Sequence, residues 1–508
     1  MSKLKIGREL GLFDAVMVGL GGGMGIEIFI LLNYAADVQV AGSAVVLALF
    51  LSGLTNLLYM LSYCELGSAI PEVGGEYTYT KLAFGGLNAF LAGWLRWLSS
   101  VLGAALAAIG FAIYLDALIS PVSLNVPLTA TIIVIVLTIL EIRGLKEMGT
   151  IIPVSLIATF IAFIAGGLLH GLTPKPLLPA TPKSLSGVFL ATVYTVPMFL
   201  GVRAIAASGA RIKDPGKNIP RALILSASIM MLINCSVTYV AVGVVQPETL
   251  TGLAESTKPL LTLAGRTIHF SPLPLGTWEA LVSIAGIFAA LVSLTTAMMI
   301  QSSIAVGLSR DGYFPEALLS FHKRFKTPFL AIIVNSLFTV LFAATGVIVF
   351  IGYAASFASI LVFILVNFSL MKLRKKMPHL KRPFNAPLYP LTPLAGIVVA
   401  PLLLVFPIIL GGANAVSAFT LSLSLLPLAF IAYHLRMIAR YHPHRLQIAM
   451  GGASLGMGIF GALLTCLIET GFVPFTLPHI YLYVLIVVSV VSIIAGVLNV
   501  STRTRKIF

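Results

Sequence analysis

Fourteen apolar stretches follow one another along this chain, each about 20 residues long and so long enough to cross a bilayer. They lie at about 11–35, 42–66, 86–115, 126–142, 150–170, 185–209, 221–246, 277–306, 328–350, 353–373, 391–411, 414–436, 448–469 and 479–500. A backbone buried in hydrocarbon must satisfy its own hydrogen bonds, so apolar runs of this length select α-helices. Composition agrees, because 58% hydrophobic and 10% charged residues is more apolar than a soluble core needs. The predicted fold class is an all-α integral membrane protein with 14 spans, embedded in the lipid bilayer.

The net charge of +15 would suit a nucleic-acid partner, but its placement argues against one. With the N-terminus inside, all but six of the 32 Lys and Arg residues fall in cytoplasmic segments. The exceptions are Lys175, Lys183, Lys258 and Arg266 outside, and Arg96 and Arg203 within spans. This is the positive-inside bias, and it predicts a multi-pass cell-membrane protein with both termini cytoplasmic. RIKDPGKNIPR, HKRFK and MKLRKKMPHLKR then read as short loops facing anionic lipid. MSKLKIGREL enters span 1 with no small-residue cleavage site, so no removable signal peptide is expected. Cys64, Cys235 and Cys466 are scattered among the spans and make neither a disulfide framework nor a metal site. No cofactor is expected. The connections are too short for a soluble domain, although TLTGLAESTKPLLTLAGRTI reads as a surface helix.

Span 1 contains the segment GLGGGMGIEIF, with Gly19, Gly21, Gly22, Gly23 and Gly25 followed by Glu27. Glycine is poor helix material, and an ionised carboxylate at this depth is costly. A small-residue packing face accounts for many membrane glycines. Here a second interrupted span favours a break instead: span 6 carries Pro197 and then Gly201, where proline removes a backbone donor. Spans 1 and 6 are five apart, and a repeat of five spans enters the membrane from opposite sides. Broken helices at matching positions of inverted repeats point to a transporter's central site. The expected architecture is a 5+5 inverted-repeat core over 1–375, with spans 1–5 at about 10–170 and spans 6–10 at about 185–375. Residues 376–508, spans 11–14, form a C-terminal appendage.

The same residues resemble the amino acid–polyamine–organocation (APC) superfamily of transporters, of the amino acid permease type. GLGGGMGIEIF is similar to its glycine-rich span 1 motif. ELGSAIPEVGGEYTYTKLAFG is similar to its Glu-Leu-x-x-x-x-Pro-x-x-Gly-Gly-x-Tyr loop, and AGWLRW to its Gly-Trp in span 3. RGLKEMG, KDPGKNIPRAL, LSRDGYFPEALLSFHKRFKTP and LKRPFNAPLYPLTP match in order, over about residues 10 to 395. The resemblance implies a secondary active transporter that moves amino acids or related amines by alternating access, as symporter or antiporter. A polyamine or organic-cation transporter or exchanger is the alternative, and a non-transport receptor or channel a remote one. The absence of clustered His, Asp or Glu at one interface argues against a membrane enzyme, and the short tail STRTRKIF against a receptor output domain.

By that resemblance the substrate site draws on the backbone of unwound spans 1 and 6: Gly22, Gly23, Gly25, Ile26, Glu27, Met198, Phe199 and Gly201. This chain departs from the family where Gly25-Ile26-Glu27 replaces Gly-Ser-Gly. In span 6, Gly201-Val202-Arg203 reverses a common glutamate, and Pro197 stands where an aromatic is frequent, with Phe199 or Tyr194 as substitutes. Glu27 and Arg203 lie at matching offsets and are candidates for coupling or switching. Three arrangements fit them: a pair across the site, a cavity-facing Glu27 that binds a cation or proton, or side chains in a watery vestibule. For the coupling ion, sodium at Thr295 and Thr296, a proton, and exchange without an ion stand as alternatives. Hydroxyls in membrane helices more often bond their own backbone. The lysine that some proton-coupled members carry in span 5 is Thr159 here.

Arg96, between Trp94 and Trp97, is expected to snorkel to the inner interface. His434, His442 and His444 are read as lipid-facing. Glu65, Glu72 and Glu76 are expected to brace the span 2–3 region against Lys or Arg of the span 8–9 loop.

Overall fold

The structure is a computed structural model. It describes residues 8–410 apart from 73, 120–122, 145–150, 174, 180–181, 257 and 269–275, together with scattered positions beyond 410. Helices fill the places of spans 1 to 11. Span 1 is a pair of helices, Leu12–Gly23 and Glu27–Ala36, and spans 2 to 5 are Val45–Ala69, Gly86–Leu118, Val126–Ile142 and Ile151–His170. Span 6 runs through Pro182–Tyr194, Val196–Val202 and Arg203–Ala207. Spans 7 to 11 are Pro215–Val244, Thr277–Arg310, Phe329–Ala343, Ile348–Lys376 and Leu391–Leu410. Among the described residues, eight helices are long and apolar enough to cross a membrane, or nine when the two halves of span 1 count as one. Spans 4 and 9 are apolar but shorter, at 17 and 15 residues. Spans 12 to 14 lie largely outside the described residues. No strand occurs among the described residues, only an isolated bridge between Leu10 and Ile212.

Spans 3 and 8 form the centre, and small residues set how closely they approach their neighbours. A Cβ on Gly286 of span 8 would lie 2.5 Å from the Tyr114 ring, and one on Gly110 of span 3 would lie 2.2 Å from Ile26. Between membrane helices such close approach replaces the hydrophobic drive that lipid does not supply. The outer spans 4, 5, 9 and 11 turn Leu128, Ile135, Leu169, Leu337, Leu341 and Ile409 outward, which is a lipid face rather than a defect.

Among the described residues, two short α-helices lie outside the spans, one at each end of the bundle. Helix Glu76–Phe84 follows Gly75, whose φ of 48° is one that glycine adopts without strain. It lies on the face that carries the 6–7, 8–9 and 10–11 connections, here called the basic face. On the opposite face, helix Leu260–Thr267 falls within the predicted surface helix, but it buries Leu260, Leu261 and Ala264. Asn33 holds it in place, because its Oδ1 accepts from the Leu260 amide at 2.7 Å and its Nδ2 donates to the Lys258 carbonyl at 3.0 Å.

Candidate functional site

Span 1 breaks where the glycines run out rather than where they cluster. Gly19, Gly21, Gly22 and Gly23 stay helical, Met24, Gly25 and Ile26 leave the helix, and the two halves meet at 47°. The break frees the Ile26 amide, which donates to Ser293 Oγ of span 8 at 3.1 Å. Glu27 opens the second half-helix, where a carboxylate meets the positive end of the dipole, and its side chain and Ser293 Oγ both crowd the Cβ position of Gly25. Its Oε2 is buried without a hydrogen-bond partner. Gly25 is required by packing, since its Cβ would lie 1.9 Å from Ser293 Oγ and 2.4 Å from Glu27 Oε2.

The interruption of span 6 takes another form. Val196–Val202 is seven residues of 3-10 helix with Pro197 in its first turn, and the span does not bend sharply. Proline has no amide to donate, and the tighter winding carries the chain past it with i→i+3 bonds such as Met198 N to Thr195 O at 3.0 Å. Met198 and Phe199 are buried on this segment. Gly201 packs against the backbone of span 1: its Cβ would lie 1.8 Å from the Gly22 carbonyl carbon and 2.0 Å from the Gly23 amide. A Cβ on Gly23 would meet Met230 of span 7 at 2.4 Å. Of the predicted backbone residues, Gly201 of span 6 is therefore in direct contact with Gly22 and Gly23 of span 1.

Arg203 turns away from Glu27 and toward the basic face. It is fully buried, with Nη1 3.7 Å from Glu76 Oε1, Nε donating to the Leu200 carbonyl at 3.2 Å, and the guanidinium 5.4 Å from the Phe363 ring centre. Among the described residues no ion pair joins Glu27 to Arg203. Arg96 also departs from expectation. Its Nε lies 3.8 Å from the same Glu76 oxygen and its side chain is 13% exposed, so the carboxylate draws it inward where snorkelling was expected. The Tyr63 hydroxyl completes the cluster at 3.2 Å.

The bracing carboxylates likewise find other partners than the span 8–9 loop cations. Glu65 is buried and accepts bidentate bonds from Arg374 at 2.8 and 2.6 Å; Arg382 lies 3.3 Å away and the Ala386 amide donates at 2.7 Å. Glu72 is exposed. The tie to the span 8–9 loop runs with opposite sign, with Lys81 at 2.7 Å from Asp311 and Tyr77 bonded to the same carboxylate. Thr295 spends its hydroxyl on its own helix, donating to Leu291 O at 2.7 Å, and Thr296 is partly buried. Thr159 likewise bonds Ser155 O at 2.9 Å. His434, His442 and His444 lie outside the described residues.

On the opposite face, Tyr34, Tyr194 and Tyr353 of spans 1, 6 and 10 pack together with ring centres 4.7 to 5.9 Å apart. The Tyr353 and Tyr34 hydroxyls meet at 3.3 Å, and a cavity opens beside them, lined by Phe29, Asn33, Tyr34 and Tyr194. Tyr34 and Tyr353 were missed by sequence reasoning, as were Ser293 and the buried Glu141 of span 4. Tyr34 carried a signal, since it lies seven residues after Glu27 and so on the same side of its half-helix.

A bent first span, an adjoining wound-down sixth span and an all-helical bundle have counterparts among known sequences. The model of a family described as amino acid permease matches residues 10–431. This chain belongs to the amino acid permease family. It is 27% identical over 414 residues to the branched-chain amino acid permease BcaP of Bacillus subtilis, covering 76% of this chain and 85% of that one. It is 28% identical over 417 residues to the methylthioribose transporter of the same organism, covering 77% and 86%. Over 341 residues it is 25% identical to the chloroplastic cationic amino acid transporter 9 of Arabidopsis thaliana, covering 62% and 57%. The permease is thus a multi-pass membrane protein of a transporter family, and its relatives point to transport of a small molecule rather than to enzymatic chemistry.

Proposed function

We propose that this permease moves amino acids or related amines across the cell membrane by alternating access, with both termini cytoplasmic. The observation that carries this reading is the contact of Gly201 with the Gly22–Gly23 backbone beside the break at Met24–Ile26. Two spans that separate at this seam would expose backbone amides and carbonyls to a ligand, and a break leaves such groups unsatisfied by its own helix. The substrate would lie among Gly22, Gly23, Gly25, Ile26, Glu27, Met198, Phe199 and Gly201, held between two five-span halves over 1–375, with residues 376–508 appended. Arg203, through Glu76, and Glu27, through Ser293, are the switch elements of this scheme. The substrate names of the relatives support small neutral or cationic molecules.

Glu27 favours a second reading, in which the substrate is a polyamine or organic cation. A carboxylate beside the break, with one oxygen unpartnered, suits a cationic group better than a second carboxylate. Counterflow of labelled leucine, arginine and putrescine into proteoliposomes tests both readings. Saturable leucine exchange supports the first, exchange confined to arginine or putrescine supports the second, and no exchange of any of the three overturns both.

A further inference from the structure

Glu141 stands near the end of span 4, 9% exposed and away from the seam of spans 1 and 6. Its Oε1 accepts from Ser302 Oγ of span 8 at 3.3 Å, and its Oε2 is buried with no hydrogen-bond partner. The carboxylate borders a cavity of about 10 Å³ shared with Leu137, Thr295, Met298 and Met299. Among the described residues, the elements packed around it bring no compensating charge. Span 8 presents Ser302 and Thr295, span 9 (Phe329–Ala343) contains no titratable residue, and on span 3 Arg96 is engaged with Glu76. Asp116 lies at the far end of span 3, where it accepts from the Leu124 amide. The span 8–9 loop touches the end of span 4 through Thr327, which donates to the Ile142 carbonyl, and neither Arg143 nor Lys326 pairs with Glu141 among the described residues.

A buried carboxylate with no cation must hold one or lose its charge. A cavity this small is at the lower limit for a single water. Two thioethers and a leucine in its wall are also poor partners for sodium, which prefers several oxygen ligands. A proton on Oε2 needs no such shell. Span 8 also carries both this cavity and the candidate substrate site, because Ser293, the hydroxyl that accepts from the Ile26 amide, lies on the same helix as Thr295 and Ser302. Ser293 and Ser302 are nine residues apart, so they stand on opposite faces of span 8 at a separation of about 14 Å in helical rise, and a shift of that one helix would reach both sites.

We propose that Glu141 and its cavity against span 8 form a proton-binding site, and that this site couples transport to a proton gradient. Oε2 takes a proton from water as the O–H bond forms and returns it to water when the bond breaks, with no other bond changed. The proposal rests on the transport reading for its coupling role, but not for the protonation itself.

The test therefore has two arms, both on the full-length protein in liposomes. In pH-difference infrared spectra, the wild type should show a carboxylic-acid carbonyl band that is lost in Glu141→Gln, kept in Glu141→Asp, and kept in Glu27→Gln. An unchanged spectrum in Glu141→Gln, or a band that shifts when sodium chloride replaces choline chloride, overturns the proposal. In the second arm, the ratio of proton-gradient-driven uptake to counterflow of L-leucine should fall by about ten-fold in Glu141→Gln. An unchanged ratio overturns the coupling role. If wild type moves no leucine, the reading of the substrate fails while the infrared arm still decides protonation.

Discussion

The two faces of the permease are closed by different chemistry. On the basic face, two buried carboxylates each hold a pair of arginines: Glu65 with Arg374 and Arg382, and Glu76 with Arg96 and Arg203. On the opposite face no ion pair occurs among the described residues: three tyrosines pack together, Asn33 ties down the helix after span 7, and the charged groups Asp37 and Lys175 bond only backbone, Asp37 accepting from the Ala254 amide at 2.9 Å. A buried ion pair is not by itself a large net gain, because both partners lose water. Once formed, though, it is expensive to strip of one member. Neutral hydrogen bonds and ring contacts are worth about 1 kcal/mol each. The comparison teaches that the basic face is latched by what breaking it would strand, whereas the opposite face can part at modest cost. The Lys81–Asp311 pair belongs to the first group only by position: its side chains are 47% and 30% exposed, so solvent screens it.

The strongest way to break this contrast is to remove the better buried carboxylate. Glu65→Gln leaves Arg374 and Arg382 without their anion and weakens the bond from the Ala386 amide. A loss of about 3–5 kcal/mol is expected, read as a lowered thermal midpoint of the purified protein. A change under 1 kcal/mol would mean that the arginines find water on their own, and the latch would be no stronger than the tyrosine side.

Between the faces lies the seam of spans 1 and 6, and here packing rather than charge decides. Gly201→Ala places a methyl carbon inside the Gly22 backbone, so one span must move. Overpacking of this kind costs about 1–3 kcal/mol, and the variant should lose counterflow more completely than it loses stability. Equal stability and equal exchange would show that the seam opens elsewhere. On the opposite face, Tyr353→Phe removes a single hydroxyl contact to Tyr34. It should cost about 0.5–1.5 kcal/mol, less than Glu65→Gln, which is the contrast in its sharpest form.

Hydropathy made the spans legible because it depends only on local sequence. Span 4 begins and ends where the apolar run does, at Val126 and Ile142. The interruption of span 1 was legible too, as a break within about Gly21–Ile26, but not the exact residue at which the helix ends. Glycine permits a break without forcing one, and the break falls at Met24–Ile26 because span 8 offers Ser293 to the freed amide. Pairings of charge were the least legible. Glu76 meets Arg203 across more than a hundred residues of chain, and matching offsets in two spans carry no information about which way a long side chain turns. Glu141 was hidden for a related reason: its burial is created by span 8, whereas its own neighbours in sequence read as the start of a basic connection.

The smallest expected effect is the coupling between Glu27 and Arg203, the two charges placed symmetrically in the sequence. Arg203 lies against Glu76 and Phe363, below the seam, while Glu27 lies near Ser293 beyond the break. Neither is the other's counter-ion among the described residues, so neither is stranded when the other is neutralised. A double-mutant cycle with Glu27→Gln, Arg203→Gln and the double variant, read in thermal stability, should be additive within about 0.5 kcal/mol. The parallel cycle with Glu76→Gln and Arg203→Gln should not be. There Glu76→Gln strands Arg203 together with Arg96, and the double variant relieves the Arg203 half of that cost, which gives a coupling energy above that limit. If the two cycles came out reversed, the latch would join the substrate seam directly. The basic face would then cease to be a separate gate, and the contrast between the two faces would collapse into one electrostatic switch centred on span 1.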